Sequence, residues 1–151
     1  MSREISLRQR AFAFLARREH SRAELQAKLA RHWQESDEPL EALLDDLTER
    51  GYLSDERAAA QWVAAKQARY GPRRIAQELR QKGIDEALIA ASTPALQANE
   101  LEAARAVWQR KFRAAPQDDK ERARQMRFLL GRGFSPDTVF RVLREVSDLA
   151  P

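Results

Sequence analysis

Cysteine is absent from the chain, which excludes disulfides, cysteine zinc sites and thiol catalysis. Its two histidines, His20 and His32, stand apart from each other and from any ligand spacing, so no metal is expected. Five glycines and six prolines leave few places where a helix must stop, and Val and Ile are sparse, which argues against a sheet. No apolar run approaches the length of a bilayer. The longest near the start, Ala11 to Ala16, is flanked by Arg10 and by Arg17 and Arg18, with no small-residue cleavage site. Neither a membrane span nor a signal peptide is expected, and a cysteine-free chain fits the reducing cytoplasm. There is no P-loop, no G-x-S-x-G and no H-E-x-x-H, so the expectation is a protein without catalysis and without a cofactor.

What is present is helix-forming. Ala, Leu, Arg, Glu and Gln dominate, all good helix residues, and 43% hydrophobic against 33% charged residues describes a folded, soluble chain rather than a disordered one. The net charge of +4 hides bands. Residues 1–34 carry 8 basic and 3 acidic groups, 35–56 carry 1 and 9, 57–83 carry 7 and 1, 84–104 carry 0 and 4, 105–132 carry 9 and 3, and 133–151 carry 2 and 3. A mixed solvated surface is the ordinary reading of such charge. Three basic bands separated by acidic ones point instead to a polyanion ligand.

Stop and start signals divide the chain into about nine helices. The first spans roughly Ser6 to Arg18, and Ser21 with Glu24 forms a capping box for the second. The third begins near Ser36 or Asp37 with Pro39 in its first turn and stops at Gly51-Tyr52. Ser54 then caps a helix to Ala68, Gly71-Pro72 opens another that stops at Gly83-Ile84, and Asp85 caps a short one around Leu88 and Ile89. Pro94 reads as a connector. A long helix follows from Gln97 to Arg113, Pro116 starts the next, and Ser135-Pro136 opens the last. Leu79, Gly83, Ile84, Asp85 and Ile89 recur as Leu129, Gly133, Phe134, Ser135 and Val139 at an offset of 50 residues. In the first unit Leu25 and Leu29 take the places of Ile75 and Leu79, and Trp33 replaces the glycine. Repetition at this period predicts stacked units: an all-α protein of three tandem three-helix, helix-turn-helix-like repeats, over 1–52, 53–95 and 96–151. The apolar stripes (Phe12, Phe14, Leu15; Trp62; Trp108, Phe112; Phe128; Phe134, Phe140) have helical spacing and are expected in the core or between repeats. Nothing resembles a heptad seam, so a monomer is expected.

Three stretches resemble the RecX family. Residues 16–25, "ARREHSRAEL", resemble its opening R-R-x-x-S-x-x-E-L signature. Residues 47–57, "LTERGYLSDER", are similar to its L-x-x-x-G-Y-L-x-D-x-R segment, and residues 70–84, "YGPRRIAQELRQKGI", to its G-x-x-[KR]-I-x-x-x-L-x-x-K-G-I stretch. The family usually places Phe after the arginine of the second motif, where this chain has Ala58; Trp62, one turn on, is the residue that would fill that space. The resemblance implies an elongated, curved molecule that binds the RecA filament on single-stranded DNA and limits its extension, recombination and coprotease activity.

Two basic clusters are the candidate filament- and DNA-binding residues. The first is Lys66, Arg69, Tyr70, Arg73, Arg74 and Lys82, with Arg80 beside them. Arg73 and Arg74 follow Gly71-Pro72 just inside a helix start, where free backbone N–H groups would add to an anion site. Tyr70 could stack on a base or simply pack at a helix end. The second is Lys111, Arg113, Arg122, Arg124 and Arg132, within a run that also holds Arg105, Arg110, Lys120 and Arg127. The acidic band of Glu35, Asp37, Glu38, Glu41, Asp45, Asp46 and Glu49 reads as a solvated face, or as one that meets basic lobes of a partner. His20 reads as a residue preceding a cap. The competing function is a helix-turn-helix transcription regulator. The third helices begin Asp85-Glu86-Ala87 and Ser135-Pro136-Asp137, which suit a DNA groove poorly.

Overall fold

The computed structural model describes residues 5–150, and among them every regular element is helical. The helices are α1 (Leu7–Arg17), α2 (Arg22–Ala30), α3 (Leu40–Glu49), α4 (Asp55–Lys66), α5 (Pro72–Gln81), α6 (Glu86–Lys111), α7 (Asp119–Gly131) and α8 (Pro136–Leu149). None is long and apolar enough to cross a membrane. The capping residues act as their spacing predicts. Ser21 accepts from the Glu24 N–H while the Glu24 carboxylate accepts from the Ser21 N–H, and Ser54, Asp85 and Ser135 cap α4, α6 and α8.

Each repeat keeps its own apolar core. Leu25, Leu29, Leu43, Leu44, Leu47 and Leu53 are buried in the first. Ile75, Leu79, Ile84, Ile89 and Leu96 fill the second, and Trp108, Phe112, Leu129, Phe134, Val139 and Leu143 the third. The 50-residue correspondence holds in space: Leu79 and Leu129, Ile84 and Phe134, and Ile89 and Val139 are all buried. Gly83 and Gly133 both close their helices with positive φ and the paired backbone bonds of a Schellman stop. Three cores in a row leave much surface uncovered. The chain exposes 9979 Å², against about 7,900 Å² for a compact monomer of this mass, so the molecule is elongated.

Four expectations need correction. Pro94 is no connector: it lies inside the continuous helix α6, so among the described residues the helices number eight. A proline inside a helix costs about 3 kcal/mol. Here its ring faces solvent, while Ile89 and Leu96 on either side are anchored in the second core. The Ser92 and Thr93 hydroxyls also donate to the Leu88 and Ile89 carbonyls just below the gap. Helix α7 starts at Asp119 rather than Pro116, because Asp118 supplies the side-chain cap that proline lacks. Helix α3 starts at Leu40 with Pro39 at its N-cap, since Asp37 is occupied in accepting from the Gln34 N–H. Finally, Phe12 and Phe140 are 38% and 40% exposed: the stripes of α1 and α8 are wider than the cores they cover. His20, by contrast, is fully buried.

Repeats two and three meet backbone to backbone. The Gly71 N–H donates to the Arg132 carbonyl at 2.7 Å and the Arg73 N–H to the Gly133 carbonyl at 3.1 Å. A Cβ on Gly71 would overlap the Gly133 carbonyl group, and one on Gly133 would overlap Arg74. Gly51 also has positive φ, but open space surrounds it. Gly51→Ala is therefore expected to cost only the left-handed backbone penalty, about 1–2 kcal/mol. Gly133→Ala adds a forced separation of two repeats and should cost roughly 3 kcal/mol or more. Chemical denaturation of the two variants checks this, and equal losses would contradict it.

Candidate polyanion interface

The junction of repeats two and three gathers cations from four elements. The last turn of α4 brings Lys66, the turn after it Arg69 and Tyr70, and the start of α5 Arg73 and Arg74. The end of α6 brings Arg110 and Lys111, and the end of α7 brings Phe128 and Arg132. The paired backbone bonds from Gly71 and Arg73 set these elements against each other. Between them lies a cleft of about 190 Å³ walled by Arg69, Arg110, Lys111 and Arg132 and floored by Val107 and Phe128. A second cleft of about 440 Å³ is lined by Arg73, Arg74, Gln77, Glu78, Gln81 and Leu130, with Gly131 and Gly133.

Aromatic rings alternate with the cations along this face. Lys82 lies 3.9 Å from the Trp62 ring centre and Lys66 4.7 Å from the same ring. Lys66, Arg74 and Arg132 flank Tyr70 at 5.7, 4.1 and 5.0 Å. Arg132 and Lys111 flank Phe128 at 5.2 and 5.3 Å, Phe128 packs edge-on against Phe112, and Arg124 stands 5.9 Å from Phe112. Each contact holds a long, flexible cation against a ring, worth about 0.5–1 kcal/mol at a solvated site. Lys66, Lys111, Arg124 and Arg132 meet these rings without a carboxylate partner among the described residues. Tyr70 and Phe128 are half-buried, so the packing role and an exposed ring edge coexist.

Pairing differs among the basic residues. Lys66, Arg69, Arg73, Lys111, Arg113, Arg122, Arg124 and Arg132 have no carboxylate partner among the described residues, as is also true of Arg10, Arg17, Lys28 and Arg31 in the first repeat, whereas Arg8, Arg18, Arg22, Arg50, Arg57, Arg80, Arg105 and Arg141 each have at least one. Arg74 approaches Glu78 only at 3.9 Å. Arg110, singled out in the sequence only as part of the wider basic run, is held by the Ala68 and Ala106 carbonyls with its charge unneutralised. Arg113 and Arg122 lie away from the cleft: Arg122 is ten residues, about 15 Å, up the helix from Arg132. Phe128, expected in the core or between repeats, stands at the junction of repeats two and three beside Arg132, four residues on.

Two expectations about the site change. The start of α5 offers fewer free backbone donors than expected, because the Gly71 and Arg73 N–H groups donate to the Arg132 and Gly133 carbonyls and Pro72 has no donor. Lys82 is tied into the junction of repeats one and two. Its ammonium meets Glu24 at 3.1 Å with both side chains largely covered, and its carbonyl accepts from the Ser21 hydroxyl. Beside it Ala58, Gln61, Trp62 and Lys82 line a cleft of about 220 Å³, so Trp62 does border the space beside Ala58 without closing it.

That junction titrates. Burial pushes the Glu24 carboxyl up, but Arg18, the Ser21 N–H and Lys82 together hold it down to about 2. Burial pushes the His20 imidazole below its usual 6.5, outweighing the Arg18 carbonyl that its Nδ1 faces; the nearby Arg18 and Lys28 charges lower it further. Nε2, 2.8 Å from the Lys28 ammonium, accepts from it. Both groups fold with a depressed pKa, so both contributions are present at neutral pH and lost on acidification. The histidine's declines as pH falls below 6.5, and the carboxylate's as pH falls from 4.5 toward 2. Glu24→Gln should lower stability at pH 7 by about 2 kcal/mol. The gap to the unsubstituted protein should close as pH approaches 2, which denaturation midpoints across pH will measure; a gap independent of pH would contradict the assignment.

Residues 54–92 match the family model for the second three-helix domain of RecX, and residues 98–143 the model for the third. The regulatory protein RecX of Leptothrix cholodnii is 49% identical over 141 residues, 93% of this chain and 89% of that protein. The one from Ralstonia nicotianae is 44% identical over 140 residues, 93% and 87% of the two chains. The crystal structure of RecX from Lactobacillus salivarius superposes with a TM-score of 0.70, covering 95% of this chain and 96% of that one at 22% identity. At that identity the likeness speaks for the fold.

Proposed function

The chain belongs to the RecX family of regulatory proteins, and from that premise we propose that it binds the RecA filament on single-stranded DNA and limits its extension, ATP hydrolysis, recombination and coprotease activity. The observation that carries this reading is the face at the junction of repeats two and three. A cluster of arginines and lysines without carboxylate partners, interleaved with half-buried rings, is suited to phosphates and to the flat faces of unstacked bases. Direct contact with the strand belongs to the proposal, as does action as a cytoplasmic monomer with no turnover of its own. A duplex-reading regulator is disfavoured: α6 and α8 open with Asp85-Glu86 and Asp137, and Glu86 is already engaged with Arg80.

The test is RecA ATP hydrolysis on single-stranded DNA with this protein titrated far below the RecA concentration. Loss of most of the turnover at such ratios is the expected result, because a molecule that blocks filament growth acts on many subunits at once. Unchanged hydrolysis, with filament binding measured directly and absent, would overturn the reading.

A further inference from the structure

The first repeat carries the opposite kind of surface. Tyr52, 51% exposed, stacks edge-on against Phe12, 38% exposed, with ring centres 5.0 Å apart. Phe12 lies on α1, and Tyr52 directly follows the Gly51 turn that ends α3. Both rings lie outside the buried core cluster of the repeat and keep a large part of their surface in solvent. Neither side chain is needed for the turn itself, which is made by Gly51 and by backbone bonds to Leu47 and Thr48. The "GYL" of the second motif thus divides its labour: Gly51 turns the chain, Leu53 enters the core, and Tyr52 remains outside.

The charges around this pair are arranged as the reverse of the basic face. Arg8, one turn before Phe12, is bound to Glu38 and Asp46. Arg50 is bound to Asp46 and Arg57 to Glu19. Each of these three flanking cations is therefore neutralised, while Glu49 and Glu56, three residues before Tyr52 and four after it, are exposed and have no cationic partner among the described residues. Net negative charge repels a phosphate backbone and attracts a basic protein surface. Exposed aromatics ringed by polar groups are the usual anchors of a protein contact.

We propose that Phe12 and Tyr52 are the anchor by which this chain grips the protein component of its nucleoprotein partner, at an apolar pocket rimmed by basic side chains, while the junction of repeats two and three faces the nucleic acid. This rests on the filament reading above and divides it between two faces. The test uses the full chain with Phe12→Ser and Tyr52→Ser together, and separately with Glu49→Lys. Binding is measured to RecA filaments on single-stranded DNA and to the bare oligonucleotide, with thermal unfolding as the check on the fold. The serine variant should lose at least tenfold in filament affinity with oligonucleotide binding unchanged. Glu49→Lys is the sharper arm: a surface that met DNA would gain affinity from the added positive charge, whereas one that meets a basic protein rim should lose severalfold on filaments alone. Filament affinity unaltered in all variants, or filament and oligonucleotide affinity falling together, would overturn the proposal and leave the filament reading intact. Failure of the unsubstituted protein to bind filaments would overturn both.

Discussion

Two backbone hydrogen bonds, from Gly71 to the Arg132 carbonyl and from Arg73 to the Gly133 carbonyl, hold the second and third repeats at a separation only glycine permits. Their consequences reach beyond stability. They consume two of the donors at the start of α5, and they bring Tyr70, Arg74 and Arg132 into one stack. Helix α6 reinforces the junction by running from the second core into the third without a break. The positive charge of this face is thus carried by side chains on a backbone-bonded seam, not by a helix terminus.

The seam between repeats one and two is built differently. No helix crosses it; side chains do. Glu24 meets Arg18 and Lys82, Asp55 accepts from the Arg22 N–H at 2.7 Å, and Gln61 accepts from the Glu19 N–H at 2.8 Å. Such a junction depends on ionisation in a way that a backbone seam does not. The consequence for the charge map is a division of labour among cations that look equivalent in composition. In repeat one Arg8, Arg18, Arg22 and Arg50 are engaged with carboxylates in joining or bracing elements, whereas at the far seam Lys66, Lys111 and Arg132 stand against rings with their charge unpaired.

Much of the fold was legible in the sequence because caps and glycine stops are local chemistry. Ser21 with Glu24, Asp85, Ser135, Gly83 and Gly133 each act through neighbours within a few residues, and their recurrence at one offset identified the repeats. The errors arose where tertiary packing outweighed a local rule. Pro94 stays helical because Ile89 and Leu96 are anchored on either side of it, and the start of α7 shifts to the residue able to cap it. The site was legible as composition but not as pairing. Lys82 and Arg132 both lie in basic bands; only the fold reveals that one faces Glu24 across 58 residues of sequence while the other faces Tyr70 and Phe128. Phe12 and Phe140 share the helical spacing of buried rings, and nothing in that spacing states how wide a core is available to cover them.

Location and pairing, rather than total charge, make the basic face. Two triple variants with the same change in net charge separate the two: Arg69, Lys111 and Arg132 to Gln, against Arg50, Arg80 and Arg105 to Gln. Affinity for single-stranded DNA is measured over a range of salt concentrations. The first set should lose affinity at least tenfold and flatten the salt dependence by a slope of roughly 2, while the second should stay within about twofold with its slope unchanged. Equal losses in the two would mean that any three cations serve, and the assignment of the interface would fall.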